Sequence, residues 1–366
     1  MQKKPRKLHG GDIYRHPDVI DFSVNTNPLG TPESVKRAVQ ESVAKIEHYP
    51  DVRCEALREA ISRFEQVNME EILCGNGAAE LFFAAVQAVC PQKALVIAPS
   101  FSEYEEALRS VGAEAEYYYL CEEDNFQIRE DYVDKLSEEI DMIFLCNPNN
   151  PTGVIYSGDT LDQLQKALER AEARIGHPLY VISDEPYREL VYDDNELPFM
   201  PAHVKNCLIV YSFSKSLSLP GERIGYIAVS PKMDYYEEVK AGLITTNRIG
   251  SVNAPSLMQL VIKECLNERP QIEVYDQNRK MLYEHLTALG FECLKPQGAF
   301  YLFVKSPIED YAAFVEEGKK QHILMVDASS FGCPGYVRLA YCVSPEMIRR
   351  SFPAFERLAE ACKAMR

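Results

Sequence analysis

Six short apolar runs constrain this chain most: Ala94–Ala98, Ala115–Leu120, Met142–Cys146, Tyr180–Ser183, Cys207–Ser212 and Gly225–Ser230. Each is nearly continuous in hydrophobic residues, the pattern of strands covered on both faces. Helical periodicity occupies Glu103–Val111 and Leu161–Ile175 between them, and returns at Leu257–Leu266. This alternation specifies an α/β fold with a mostly parallel central sheet sandwiched by helices. From about Pro270 the order changes. A long helix is followed by Glu292–Leu294, Phe300–Lys305, a helix near Tyr311–Gln321, strands at Ile323–Val326 and Val337–Ala340, and a closing helix from Pro345. The expected organisation is a large α/β domain of residues 46–268 and a smaller α+β domain made of 1–45 with 269–366. Asp21–Gly30 holds too many turn formers for the inside of an element and reads as a loop.

Composition narrows the function. With 46% hydrophobic and 26% charged residues the chain is ordinarily globular. Lys+Arg 39 against Asp+Glu 55 gives a net charge of −16, which argues against a nucleic-acid partner. The basic cluster Lys3, Lys4, Arg6 and Lys7 reads as a solvated tail. The most apolar helical stretch, Leu81–Cys90, contains Gln87 and has about half the ~20 residues a bilayer requires, so no membrane span is expected. No apolar run follows the N-terminal positive charges, so no secretory signal is read there. Eleven Cys are scattered without a CxxC pair, as expected of reduced, buried thiols in a cytoplasmic protein. Seven dispersed His show no metal-ligand spacing, and no metal is expected.

Three strand ends carry the chemistry. Met142–Cys146 runs into Asn147-Pro148-Asn149-Asn150-Pro151-Thr152-Gly153, Tyr180–Ser183 ends at Asp184-Glu185-Pro186-Tyr187, and Cys207–Ser212 ends at Phe213-Ser214-Lys215. Asn150 to Asp184 is 34 residues and Asp184 to Lys215 is 31, each about one strand–helix–strand unit of roughly 30 residues. A parallel sheet would bring all three side chains to its carboxyl edge, where ligands bind. Taken singly, each has a plainer reading as turn, helix cap or solvated lysine. Their matched offsets make the plain readings poor explanations.

An amide, a carboxylate and an amine at one edge suit carbanion chemistry on pyridoxal 5'-phosphate. Lys215 would join the cofactor aldehyde, Asp184 would keep the pyridine nitrogen protonated, and Asn150 with Tyr187 would hydrogen-bond the phenolate oxygen. A phosphate anchor is offered by Ser212, Ser214 and Arg223, whose guanidinium can fork onto phosphate oxygens. A second cradle is the turn Gly75-Asn76-Gly77-Ala78-Ala79 opening an apolar helix at Glu80–Cys90, where the N–H groups of Gly77, Ala78 and Ala79 are free to meet an anion. Phe101 either stacks on the ring or belongs to the core.

Asn150-Pro-Thr-Gly, Asp184-x-x-Tyr187 and Ser212-x-Ser214-Lys215 with Arg223-x-Gly225 together resemble the fold-type I enzymes of aminotransferase class I/II, over essentially the whole chain. The resemblance implies that Lys215 is the lysine joined to the cofactor. It implies that Arg338 binds the substrate α-carboxylate, and that Tyr49 reaches the phosphate in a neighbouring subunit of a homodimer. It also implies small-molecule substrates, an amino acid or amino phosphate and a 2-oxo acid. His9-Gly10-Gly11-Asp12, Asn27-Pro28-Leu29-Gly30 and Tyr49-Pro50-Asp51 resemble the threonine-phosphate decarboxylase branch, related to histidinol-phosphate aminotransferase. In that likeness His9, Asn27, Leu29 and Gly30 line the substrate. The branch usually carries Asn where Asp12 stands, and Gly298-Ala299-Phe300-Tyr301 is closer to general aminotransferases. The expected activity is amino transfer. Decarboxylation of a phosphothreonine is the alternative, and a non-catalytic cofactor-binding regulator is a remoter one.

Overall fold

Strands form where the apolar runs stand. The computed structural model describes residues 19–365. Its strands are β1 (Ile20–Asp21), β2 (Ile72–Gly75), β3 (Lys93–Ala98), β4 (Glu114–Tyr119), β5 (Ile140–Cys146), β6 (Tyr180–Asp184), β7 (Cys207–Ser212) and β8 (Gly225–Val229). After them come β9 (Cys293–Leu294), β10 (Tyr301–Lys305), β11 (Ile323–Leu324), β12 (Val326–Asp327) and β13 (Tyr336–Ala340). β2 to β8 make one seven-stranded sheet in the order β2-β8-β7-β6-β5-β3-β4. The run from β7 to β4 is parallel, as its patterning predicts.

Alternate residues of the central strands serve opposite layers. Phe144, Ile182 and Leu208 pack with Leu81, Phe82 and Ala85 of the helix Ala78–Val89. Ile143, Leu145, Val181 and Ile209 pack on the other face with Leu161, Leu164 and Leu168 of the helix Gly158–Ile175. Burial on both faces explains why these strands read as unbroken apolar runs.

Two features differ from the sequence pattern. β8 is antiparallel to both β7 and β2. The return from β7 to β8 carries only the four-residue helical turn Phe213–Ser216, so no crossover helix is present to make the pair parallel. The apolar segment Ile323–Val326 is two strands, because β11 pairs with β1 while β12 pairs with β13.

The carboxy-terminal residues build a four-stranded antiparallel sheet, β12-β13-β10-β9. Its core of Phe300, Leu302, Val304, Leu339, Phe355 and Leu358 also takes in Ile20, Phe22, Tyr187 and Leu190. The N-terminal segment lies along this sheet, since β1 pairs with β11 and the Ala340 N–H donates to the Phe22 carbonyl at 2.7 Å. Residues 23–27 then continue toward the main sheet. The helix Glu33–Ser42 contributes Val35 and Ala38 to the core shared by Ile143 and Leu161, against the helix Ser256–Cys265. Among the described residues no helix is long and apolar enough to cross a membrane.

Candidate active site

β5 and β6 end level, with Cys146 opposite Asp184, and β7, whose Val210 stands opposite Asp184, runs on to Ser212 at the same edge. Asp184 closes β6, Asn150 lies four residues beyond β5, and Lys215 lies three beyond β7. The Lys215 turn begins at Ser212, whose Oγ accepts the Ser214 N–H at 3.3 Å and sits 2.6 Å from Ser214 Oγ. The edge expected from strand spacing is therefore the edge observed.

Its electrostatics are those of charges withdrawn from water. Asp184 is 4% exposed. Burial raises its carboxyl to about 7, against the hydrogen bond from Tyr104 and the nearby Lys215 ammonium, which lower it. Tyr104 donates to Asp184 Oδ2 at 2.6 Å, while Oδ1 is buried without a partner. Tyr104 is itself fixed by stacking on Phe144, 4.9 Å between centroids. Lys215 Nζ donates to the Asn25 carbonyl at 2.8 Å, 5.8 Å from the centre of the Phe300 ring. Burial lowers this amine to about 8, a shift that Cys342 and Asp184 oppose and Arg338 assists.

Arg338 is held by two rings and two hydrogen bonds. Its guanidinium lies 4.4 Å from the Tyr301 ring centre and 4.9 Å from that of Phe331. Nη1 donates to Asn150 Oδ1 at 2.8 Å, Nη2 donates to the Ser23 carbonyl at 3.1 Å, and Nε is buried without a partner. Tyr301 is the hub of the remaining contacts. Its hydroxyl accepts from Asn25 Nδ2 at 3.1 Å and lies 2.5 Å from the Tyr187 hydroxyl. Burial pushes the Tyr187 phenol well up and the Tyr301 phenol to about 12, so both hydroxyls keep their protons at neutral pH.

The start of the helix Ala78–Val89 is a candidate anion cradle. The helix begins at Gly77, with φ 82° and no side-chain cap, so its first N–H groups have no partner within the helix. A Cβ on Gly77 would fall 2.6 Å from Arg223 Nη2. Only glycine permits both that backbone angle and that approach of the guanidinium.

The other expected residues are placed as follows. Phe101 is half-buried and meets Tyr104 edge-on at 6.0 Å. Asn27 bonds through Nδ2 to Ser218 Oγ and accepts the Leu29 N–H at 2.9 Å, and Gly30 turns the chain at φ 79°. These bonds seat the loop 27–30 three residues beyond Lys215. Tyr49 is 97% exposed. His9 lies outside the described residues. Tyr104, Tyr301, Asn25 and Ser23 were not singled out from sequence. Tyr301 had a signal, the motif ending Phe300-Tyr301. The carbonyls of Ser23 and Asn25 had none, since any residue has one. Among the described residues no group of three His, Cys, Asp or Glu is placed to hold a metal ion. The arrangement can bind a phosphate, a basic ring nitrogen and a carboxylate around one buried amine.

Residues 17–354 match the family described as aminotransferase class I and II. The chain is 30% identical over 314 residues to threonine-phosphate decarboxylase of Salmonella typhimurium, covering 82% of this chain and 83% of that protein. It is 30% identical over 381 residues to a probable aspartate/prephenate aminotransferase of Aquifex aeolicus, covering 93% and 92%. An amino transferase structure from Eubacterium rectale superposes with a TM-score of 0.88 at 36% identity, covering 95% of this chain and 92% of that one.

Proposed function

The chain belongs to the aminotransferase class I and II family of enzymes, and on that premise we propose that it transfers an amino group between an amino acid, or an amino-alcohol phosphate, and a 2-oxo acid, using pyridoxal 5'-phosphate. The observation that carries this is the pairing of a buried, pKa-lowered Lys215 amine with a buried Asp184 carboxyl that has one oxygen unpartnered. A protonated pyridine nitrogen would satisfy that oxygen. The Gly77 approach of Arg223 and the open helix start suit the phosphate.

When bound, the cofactor supplies an aldehyde that joins an amino group and a ring that draws electrons from the substrate Cα. Arg223, Ser212, Ser214 and the N–H groups of 77–79 hold its phosphate, Asp184 keeps a proton on its ring nitrogen, and Asn150 and Tyr187 hydrogen-bond its phenolate oxygen. Arg338 receives the substrate carboxylate on its fork. Above pH about 8 the Lys215 amine is largely neutral, and Nζ takes the proton from Cα as general base and returns it. Two aromatic rings and two hydrogen bonds hold the Arg338 guanidinium in place, so a carboxylate received on it would be held in one orientation.

Similarity to the Salmonella enzyme favours a second reading, decarboxylation of a phosphothreonine. One experiment separates them. Protein loaded with pyridoxal 5'-phosphate is mixed with L-aspartate, L-glutamate or O-phospho-L-threonine. Amino transfer predicts loss of the yellow colour, release of a 2-oxo acid and recovery of colour on adding 2-oxoglutarate. Carbon dioxide from phosphothreonine without a keto acceptor selects the second reading. Failure of every amino donor to bleach the cofactor ends the first.

A cytoplasmic homodimer belongs to the same proposal. Tyr49 is almost wholly exposed in the single chain, with Ile46, Val52, Ile249 and Val252 also exposed, a surface suited to a second copy. Sedimentation as a monomer at micromolar concentration would remove it. The division at 46–268 against 1–45 with 269–366 is also a proposal, and the seat of the helix Glu33–Ser42 favours moving residues 33–45 to the large α/β domain.

A further inference from the structure

Behind the catalytic edge lies a buried polar network. Arg188 Nη1 is 2.8 Å from Glu65 Oε2 and 3.1 Å from the Tyr226 hydroxyl, and Nη2 is 3.3 Å from Glu185 Oε2. The Tyr226 hydroxyl donates to the other Glu65 oxygen at 2.6 Å, and Ser183 donates to Glu185 at 2.7 Å. On the same loop Glu189 accepts a 2.6 Å bond from the Tyr211 hydroxyl, which lies 2.7 Å from Ser216 Oγ. A phenol has one proton and a carboxylate only accepts. Ser216 therefore donates to Tyr211, and Tyr211 donates to Glu189.

The ends of this chain are telling. Ser216 directly follows Lys215, and Glu189 lies two residues beyond Tyr187. The Lys215 turn is four residues long, too short to stabilise itself. Its opening bond is long, at 3.3 Å. The Tyr211 ring cannot swing freely, because Phe213 and Tyr226 each lie 5.0 Å from it and the Arg188 guanidinium 5.7 Å.

We propose that Tyr211 is a positioning residue: through Ser216 and Glu189 it braces the Lys215 turn against the loop that follows Asp184 and carries Tyr187. The proposal rests on the function above insofar as Lys215 is the working amine. Misplacing such a group by about 1 Å can cost roughly 10²-fold in rate. Tyr211 and Ser216 are not among the groups that would hold substrate or cofactor, so their effect is exerted through the lysine.

Full-length Tyr211→Phe, Ser216→Ala and the double variant test it. With L-aspartate or L-glutamate as donor, each single variant should lower kcat by about tenfold with KM held within about twofold, and the double variant should be no slower than the slower single one. A second readout needs no cofactor: trace acetylation of Lys215 across pH, followed by mass spectrometry. Its midpoint should move by at least about half a unit in the variants, as water reaches a loosened turn. Multiplying effects in the double variant, or an unmoved midpoint accompanied only by a lower melting temperature, would overturn the brace. If Tyr211→Phe does not fold, Ser216→Ala and Glu189→Gln decide. Glutamine keeps an acceptor for Tyr211 and should stay within about threefold of the parent kcat, while Ser216→Ala should not. A parent protein that binds no pyridoxal phosphate would end the proposed function yet leave the acetylation comparison valid.

Discussion

Lys215→Ala is expected to leave a folded protein whose amino-transfer turnover falls by at least about 10⁴-fold, since it removes the amine proposed both to join the cofactor and to act as general base. The fold should not suffer. The lost contacts are one hydrogen bond to the Asn25 carbonyl and a distant approach to the Phe300 ring. Against these stands the removal of an amine that burial has already driven down to about 8. The melting temperature of the cofactor-free variant should match or exceed that of the parent. Borohydride should no longer attach the cofactor covalently to the chain, and dialysis should strip it. Retained turnover within about a hundredfold of the parent would show that another group does the work assigned to this amine.

Asp184→Asn should trade activity for stability. A carboxyl whose folded pKa, about 7, stands above its unfolded value of 3.8 binds its proton more tightly in the folded state. The stability it contributes is complete below pH about 4 and is lost as the pH rises through about 7. At pH 8 the parent therefore carries the cost of a buried charge that asparagine lacks, about 2–4 kcal/mol at most from the size of the shift. For a chain of this length that corresponds to about 3–5 °C in melting temperature. Scanning calorimetry of the cofactor-free proteins should show the gap at pH 8 and a much smaller one at pH 5, where the parent carboxyl is already protonated. Asparagine can still accept the Tyr104 bond, so the fold around it should persist. It cannot hold a positive ring nitrogen, and kcat should fall by about 10³-fold, the scale of a lost preorganised electrostatic partner. A variant that melts lower than the parent at pH 8, or that keeps activity within about tenfold, would contradict the buried charge or its role.

The same burial that costs stability gives the site its character. Lys215 and Asp184 are drawn toward each other in pKa, to about 8 and about 7, without any opposing partner strong enough to restore them. Such strain is stored where function needs it and is offset by the packed sheet beneath.

How much of this could be read in the chain differs from residue to residue. Asn150, Asp184 and Lys215 were legible because a parallel sheet converts regular spacing into proximity, and β5, β6 and β7 do end at one edge of the sheet. Gly77 and Arg223 were legible as separate anion binders. Their contact across the start of the helix Ala78–Val89 was not, because β2, which delivers Gly77, is a four-residue edge strand with too short an apolar run to stand out. Tyr104 has the helical spacing of a core residue and is one, fully buried against Phe82 and Phe144. Only its hydroxyl reaches Asp184, and periodicity carries no information about one atom at the tip of a ring.

The chain by itself determined its layers, the parallel order of the central strands and the types of the groups at their ends, because burial on two faces and a fixed helix-and-strand repeat leave a direct trace in residue order. Tertiary structure alone decided the antiparallel return of β8, the passage of residues 23–27 between the two sheets, and the closure of the site by the Ser23 and Asn25 carbonyls on Arg338 and Lys215. The physical reason is that a carbonyl's partner is set by where the backbone runs in space, and every residue carries the same one.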